Sequence, residues 1–593
     1  MDRMHPPGLK LHDFFARASA APEAIWISRA REMAQVAGPV DQSTARPLDH
    51  VLLAVKDNID VLGFPTTAAC PAFSYRPTAS SVTVQRLIDA GATVVGKTNL
   101  DQFACGLVGT RSPYGEVPNA INPDYVSGGS SSGSAVAVSL GLVDAALGTD
   151  TAGSGRVPAA FNNVVGIKPS RGLLSLTGSV PACRHIDCIS VFSRTVPGAM
   201  AVLLAAAGHD AADPYSSNRG LDPRFIAERP RLGIPAAKSL EFFGDALSAR
   251  AFERSLELVA SLGAVFSPID LTDMLEVANA LYEDAWVAER YNAIAPFFDL
   301  HQDKMDPVVR SIIAKGKRFS ASDLFSAMHQ LNRVKQATLS LWDRIDVLVV
   351  PTAPTFPTRQ AVREEPVLRN RELGYYTNFV NLLDLAAVAV PSVMRDDQLP
   401  FGVTLIGPAQ SELRLAELAE RIHAASGMLS NETPSSVLAN AQAIRFSREK
   451  NSTVKVVAVG AHMRGLPLNH QLEERGARLV GEAKTAPLYR LFQLPDSVPP
   501  KPGLVRADAG ATGHAIDVEV WEMPTTSFGS FVAGIAAPLG IGTIELADGS
   551  KVQGFLCESA ALSNATEISR FGGWRAFLNH LSTSIDQPPG SPT

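Results

Sequence analysis

At 593 residues the chain is too long for one ordinary core, so two or three domains are expected, and 46% hydrophobic beside 19% charged residues is the balance of a soluble globular protein. A net charge of −6 with no basic stripe argues against a nucleic-acid partner. The five cysteines (Cys70, Cys105, Cys183, Cys188 and Cys557) offer no disulfide framework, the opening MDRMHPPGLK lacks the apolar core of a signal peptide, and no run is long enough for a membrane span; the expectation is a cytoplasmic protein.

Leu9, Leu11, Phe14, Phe15, Ile25, Ile27 and Met33 recur at helical spacing, which predicts capping helices over residues 9–36. His50 to Val55 is an apolar run of strand length that delivers Lys56. A lysine leaving a buried strand is desolvated, and burial favours its neutral form. Ser81 to Ala90 reads as a helix that stops at Gly91, with Thr93 to Val95 as the next strand. Strand, helix and strand in alternation predict an α/β domain around a central sheet.

The stretch from Tyr125 to Pro158 holds two glycine-serine loops, Ser127 to Ser134 and Thr151 to Gly155, joined by an apolar segment, Ala135 to Leu147, that reads as a buried helix. A flexible linker would not lead at once into a core element, and the Lys-Ser/Thr pair of a phosphate-binding loop is missing. Nucleophilic catalysis remains, because serine needs a base and Lys56 is available upstream. Asp150 and Arg156 are expected to brace the second loop. CRHIDC, Cys183 to Cys188, has no second ligand pair to complete a metal site, and no metal or cofactor is expected.

Between Phe225 and His329 the pattern is mostly helical, with short strands at Arg231 to Ile234 and Ala264 to Phe266. One helix is expected over Leu271 to Tyr291, where Tyr282, Trp286 and Arg290 fall at i, i+4 and i+8 on one face. By itself that face reads as a charged surface stripe; a Tyr and an Arg together can also grip a small carboxylate. Asp346 to Val350, the helix-to-strand stretch Asn378 to Val390 ending at Pro391, Gly402 to Ile406 and the helix Ser411 to Ala425 read as packing elements. The expected domains are 1–425, a polar linker over 426–452, a compact mainly β domain over 453–584 and a tail over 585–593. The β domain starts at Val454 to Val459 and continues with strands at Lys484 to Gln493, Ala515 to Met523, Ile541 to Leu546 and Gln553 to Leu556.

Lys56 in AVKDNID, Ser130 in SGGSSSGSA and Ser154 in DTAGSGRVPA, at spacings of 74 and 24, resemble the Ser-cisSer-Lys triad of the amidase signature family. GKTNLDQFACG (Gly96 to Gly106) and VVGIKPSRG (Val164 to Gly172) fit the same pattern, which extends the resemblance over roughly residues 20 to 425. Ser132 and Ala152 stand where many members have glycine. The resemblance implies a large mixed sheet flanked by helices, Ser154 as nucleophile, Ser130 as proton relay to neutral Lys56, and an oxyanion hole from the amides of Thr151, Ala152, Gly153 and Ser154. Tyr282 and Arg290 resemble the substrate grip of the allophanate hydrolases within that family. VKVVAVGAHMRGLPLNHQL, from Val454, is similar to their C-terminal domain, of γ-glutamyl cyclotransferase-like fold.

That implies hydrolysis of allophanate to ammonia and carbon dioxide through N-carboxycarbamate, in concert with a urea carboxylase. His470 and His462 are candidates for the second step, because histidine holds or gives a proton near neutral pH; the other reading of this domain is dimerisation, and a homodimer is expected. The competing functions are a general amidase or an amidotransferase A-type subunit, and a non-catalytic anion-binding protein.

Overall fold

Strands covered on both faces are mostly apolar, and LLAVK, AALGTD, CISVFS and VLVVP are buried at every position, the charged exceptions Lys56 and Asp150 lying at strand ends. The computed structural model describes residues 7–31, 46–428, 453–495, 497–508 and 510–585. The chain divides into two compact units, Met1–Arg445 and Phe446–Thr593. Of the expected linker and tail, residues 429–452 and 586–593 lie outside the described residues.

The first unit is built on β1 (Trp26–Arg29), β2 (Leu52–Lys56), β3 (Thr93–Thr98), β4 (Ala145–Asp150), β5 (Val165–Lys168), β6 (Cys188–Ser193), β7 (Arg231–Pro235), β8 (Val265–Ile269), β9 (Val347–Pro351), β10 (Ala386–Met394) and β11 (Pro400–Gly407). They form one mixed sheet in the order β1-β3-β2-β4-β6-β5-β10-β11-β9-β7-β8. β2 is parallel to both β3 and β4, β7 is parallel to both β8 and β9, and the middle of the sheet is antiparallel. No described helix is long and apolar enough to cross a membrane.

Four expectations need correction. A helix does cover Pro7–Ala20, but Ile27 belongs to β1, which pairs with the edge of β3; ladder bonds available at that edge outweigh the local helical spacing. The apolar run after Ser134 is not one helix. The helix Ser132–Ser139 ends where Gly141 takes φ 64°, with Gly141 N and Leu142 N bonding back to Val138 O and Ala137 O, and the rest of the run becomes β4. A stretch of Ala, Val and Leu buried on all sides carries no period to mark that change.

Leu271 to Tyr291 is likewise two helices, Thr272–Glu283 and Val287–His301. Asp284 between them is extended and its carboxylate accepts from Ala285 N at 2.6 Å, the local side-chain bond by which Asp competes with helix. β10 runs past Pro391 to Met394, with the register slipping between Pro391 and Val393, because a bulge tolerates the missing N–H.

The second unit has a five-stranded sheet in the order β13-β16-β12-β18-β17 and a three-stranded sheet in the order β15-β14-β19. The strands are β12 (Thr453–Ala458), β13 (Arg478–Lys484), β14 (Tyr489–Gln493), β15 (Pro502–Arg506), β16 (Asp517–Pro524), β17 (Leu539–Glu545), β18 (Lys551–Cys557) and β19 (Thr566–Glu567). Lys484 to Gln493 therefore contains the end of one strand and the whole of another; Pro487 between them cannot donate to a ladder. Val456, Tyr489, Leu491, Trp521 and Trp574 belong to this unit's own core.

Candidate active site

β2 and β4 are parallel neighbours, so Lys56 and Asp150, at their ends, leave the sheet on the same edge. In sheets of this kind ligands bind beyond the carboxyl ends of parallel strands. Lys56 is fully buried, and its Nζ donates to Ser130 Oγ at 2.8 Å, Ser131 Oγ at 3.0 Å and Thr149 Oγ1 at 2.8 Å. Asn58 Nδ2 donates to Thr149 Oγ1 and to Val180 O, which fixes the threonine from its other side. The peptide between Gly129 and Ser130 is cis.

Burial pushes the Lys56 pKa down to about 7, against the opposing fields of Asp101, Asp150 and Asp187. An amine so poised exchanges a proton with a hydroxyl near neutral pH. Asp101 also accepts from the amides of Val108, Gly109 and Arg111, and its own amide donates to Ser130 O, so this carboxylate organises the loops around the first serine.

The second serine loop is folded around Asp150. Its carboxylate accepts from Gly153 N and Gly155 N, each at 2.9 Å, and from Arg156 Nε and Nη2, each at 2.9 Å, with both side chains fully buried. Although burial acts to raise the Asp150 pKa, the guanidinium of Arg156 and the charge of Lys168 hold it below the ordinary carboxylate value. Arg156 also donates to Thr377 O and Asn381 Oδ1, while Asn381 Nδ2 donates to Asp150 O. Gly153 takes φ 125°, and a Cβ there would meet Thr377 Oγ1 at 2.4 Å. Only glycine fits both demands. Ala152 and Ser132 have ordinary negative φ, which explains why side chains are accepted where glycine is commoner.

Ser154 is 2% exposed and its hydroxyl makes no hydrogen bond to a described group. The amides of Thr151, Ala152 and Ser154, in the same turn, are also without a described acceptor. Gly153 is the correction to the expected oxyanion hole: its N–H is taken by Asp150, so three of the four amides are available. Asp187, inside CRHIDC, accepts from Thr151 Oγ1 at 2.5 Å and from the amides of Ala182 and Cys183. Burial raises its pKa. A cavity of about 200 Å³ reaches Thr149 and Asp187, with Ser179, Val180 and Arg184 on its wall.

Trp286 and Arg290 are not on a surface stripe. Trp286 packs into the core with Leu281, Tyr376 and Phe379, and Arg290 is 2% exposed. Arg290 acts electrostatically on Asp187, Cys183 and Glu289, which puts its charge beside the serine loop. Tyr282 lies in the helix Thr272–Glu283, and its side chain falls outside the described residues. With the helix broken at Asp284, the i, i+4, i+8 face does not relate Tyr282 to Arg290.

In the second unit the two candidate histidines separate. His462 lines a cavity of about 150 Å³, its Nε2 3.0 Å from Gln471 Oε1 and its ring stacked 4.6 Å from that of Phe555. His470 is exposed, its Nδ1 against Pro467 O, and is not on that wall. Ser131, Thr149, Asn58, Asp187, Thr377 and Asn381 are the site residues that sequence reasoning missed. Asn58 sits inside AVKDNID, and Thr149 immediately precedes the DTAGSG loop, so motif context carried a signal for those two; nothing local marks Thr377 or Asn381.

Residues 11–416 match the Amidase family, and residues 454–579 match the Allophanate hydrolase C-terminal domain. The chain is 44% identical to urea amidolyase of Saccharomyces cerevisiae over 554 residues, covering 91% of this chain and 30% of the yeast protein. It spans about a third of the length of the urea amidolyases it matches. It is also 32% identical over 409 residues to the A-type subunit of glutamyl-tRNA(Gln) amidotransferase from Acidobacterium capsulatum, covering 63% of this chain and 85% of that one. Among solved structures, Kluyveromyces lactis allophanate hydrolase superposes with a TM-score of 0.71 at 39% identity, covering 97% of each chain.

Proposed function

The chain belongs to the amidase family and carries an allophanate hydrolase C-terminal domain, and from that premise we propose that it hydrolyses allophanate to ammonia and carbon dioxide by way of N-carboxycarbamate. The observation that carries the reading is the 2.8 Å hydrogen bond between Lys56 and Ser130, at the end of β2, beside a turn whose Thr151, Ala152 and Ser154 amides have no described acceptor.

Ser154 Oγ attacks the terminal carbonyl of the urea carboxylate, losing its proton to Ser130 as Ser130 passes its own to neutral Lys56. The three amides take the developing oxyanion, each well-placed donor contributing roughly 2.7–4 kcal/mol to the transition state. Lys56 returns the proton through Ser130 to the leaving nitrogen, ammonia departs, and water releases N-carboxycarbamate from Ser154. Arg290, with Tyr282, binds the substrate carboxylate. The second unit assists loss of carbon dioxide from the released intermediate. A urea carboxylase supplies the substrate, and the protein works as a cytoplasmic homodimer.

The test is a substrate panel on the full chain, with ammonia and bicarbonate measured from allophanate, malonamate, acetamide and glutamine. Allophanate should give both products at the highest kcat/KM. A preference for glutamine, with no bicarbonate from allophanate, would move the protein to the amidotransferase reading.

A further inference from the structure

The turn CRHIDC carries one more cation, Arg184, and its backbone is tied on both sides of that residue. Cys183 N donates to the carboxylate of Asp187, Cys183 O accepts from Ile186 N and Asp187 N at 2.9 Å each, His185 N donates to Glu289 Oε1 at 2.7 Å, and His185 O accepts from Arg171 Nη1 at 2.7 Å. The Arg184 side chain is exposed, stands on the wall of the cavity that reaches Thr149, and forms no hydrogen bond or ion pair among the described residues. Both carboxylates on that wall are engaged elsewhere. Asp187 accepts from Thr151 Oγ1 and the amides of Ala182 and Cys183, and Asp213 accepts from the amides of Leu176 and Tyr215. Ser179, on the same wall, has a buried hydroxyl with no described partner.

Two arginines therefore serve this site at different depths. Arg290 is 2% exposed, Arg184 faces solvent, and the charges of both act on Glu289, so that two guanidinium groups stand near one carboxylate. A buried cation meets an anion only after the anion has entered and shed water, whereas an exposed one raises the local concentration of anions from solution. We propose that Arg184 is a specificity-determining residue, which captures the substrate's carboxylate at this cavity and hands it to Arg290, with the Ser179 hydroxyl as a hydrogen-bond partner on the way. The ligand, on the function proposed above, is the carboxylate-bearing amide on which Ser154 acts. Charge is then selected twice, first by an arginine in solvent and then by one in the interior.

The test measures ammonia release from malonamate, a carboxylate-bearing amide, and from neutral acetamide, on the full chain as wild type, Arg184→Gln and Arg184→Lys. Each is run at about 10 mM and about 1 M ionic strength, where charges are felt over roughly 30 Å and roughly 3 Å. At the low ionic strength Arg184→Gln should lose about five- to tenfold in kcat/KM for malonamate, through KM with kcat within about twofold, and the ratio of malonamate to acetamide kcat/KM should fall with it. At the high ionic strength it should come within about twofold of wild type, and Arg184→Lys should keep the wild-type salt response. A loss that is equal for both substrates or equal at both ionic strengths overturns the assignment, as does an Arg184→Gln enzyme that matches wild type at low salt. A wild type with no preference for malonamate over acetamide would overturn the carboxylate reading of the site itself, and this assignment with it.

Discussion

Lys56 Nζ and Ser130 Oγ stand 2.8 Å apart although 74 residues separate them along the chain. With burial bringing Lys56 down to about 7, the rate should follow the fraction of neutral amine: kcat/KM for allophanate rises with pH and levels off above an apparent pKa near that value. Lys56→Met should lower kcat by ~10⁴-fold and abolish the limb. The sign for stability follows from the same depression. Between about 7 and the ordinary lysine value of 10.5 the unfolded chain holds a proton that the folded chain has lost, so folding stability gains with rising pH across that window. Denaturant melts at several pH values should show Lys56→Met gaining most over wild type at the acid end.

The buried pair of Asp150 and Arg156 should be costly to halve. Arg156→Met leaves Asp150 charged and without its guanidinium, and a loss of about 3–5 kcal/mol is expected in urea unfolding. Activity should fall with it, because the same carboxylate holds the amides of Gly153 and Gly155. A melting temperature equal to wild type would show the pair to be dispensable.

Gly153→Ala adds one methyl group at a backbone angle that alanine avoids, into contact with Thr377 Oγ1. The expected outcome is a drop in kcat of roughly 10²-fold with KM little changed, since the shift moves the amides of Ala152 and Ser154 rather than the carboxylate grip. Pairing it with Thr377→Ser, which removes a methyl but keeps the hydroxyl bonded to Ala152 O, should recover little, because the nearest atom is the oxygen.

The parts of this site that the sequence made legible are those where local chemistry is unusual. A lysine ending LLAVK and serines within glycine turns stand out at once, and β2, β9 and β11 announce themselves as apolar runs, whereas β4 is hidden in a run that reads as helix. The helix break at Asp284 was hidden because one side-chain bond to Ala285 N outweighed a long helical pattern. Asp187, Thr377 and Asn381 were hidden for another reason: each acts through a contact with a residue far along the chain, and single-sequence spacing holds no trace of such pairs. The Gly153 amide was assigned to the oxyanion because a turn's sequence does not say which of its amides its own aspartate will claim.

Replacing Arg290 tests whether substrate recognition is separable from chemistry. Arg290→Ala should reduce kcat/KM for allophanate and malonamate by about 10²-fold or more and leave acetamide within a few-fold of wild type, because only the first two present a carboxylate. Equal losses on all three would make the arginine a support for Asp187, on which it acts electrostatically.

The most direct measurement is acid quenching during turnover of allophanate, followed by mass mapping of the peptide that carries Ser154. An acyl adduct on Ser154 in wild type, absent from Ser154→Ala together with ammonia release, is the expected result. Ammonia released at the wild-type rate by Ser154→Ala, or an adduct on a different residue, would contradict the assignment of the nucleophile and with it the proton path from Ser130 to Lys56.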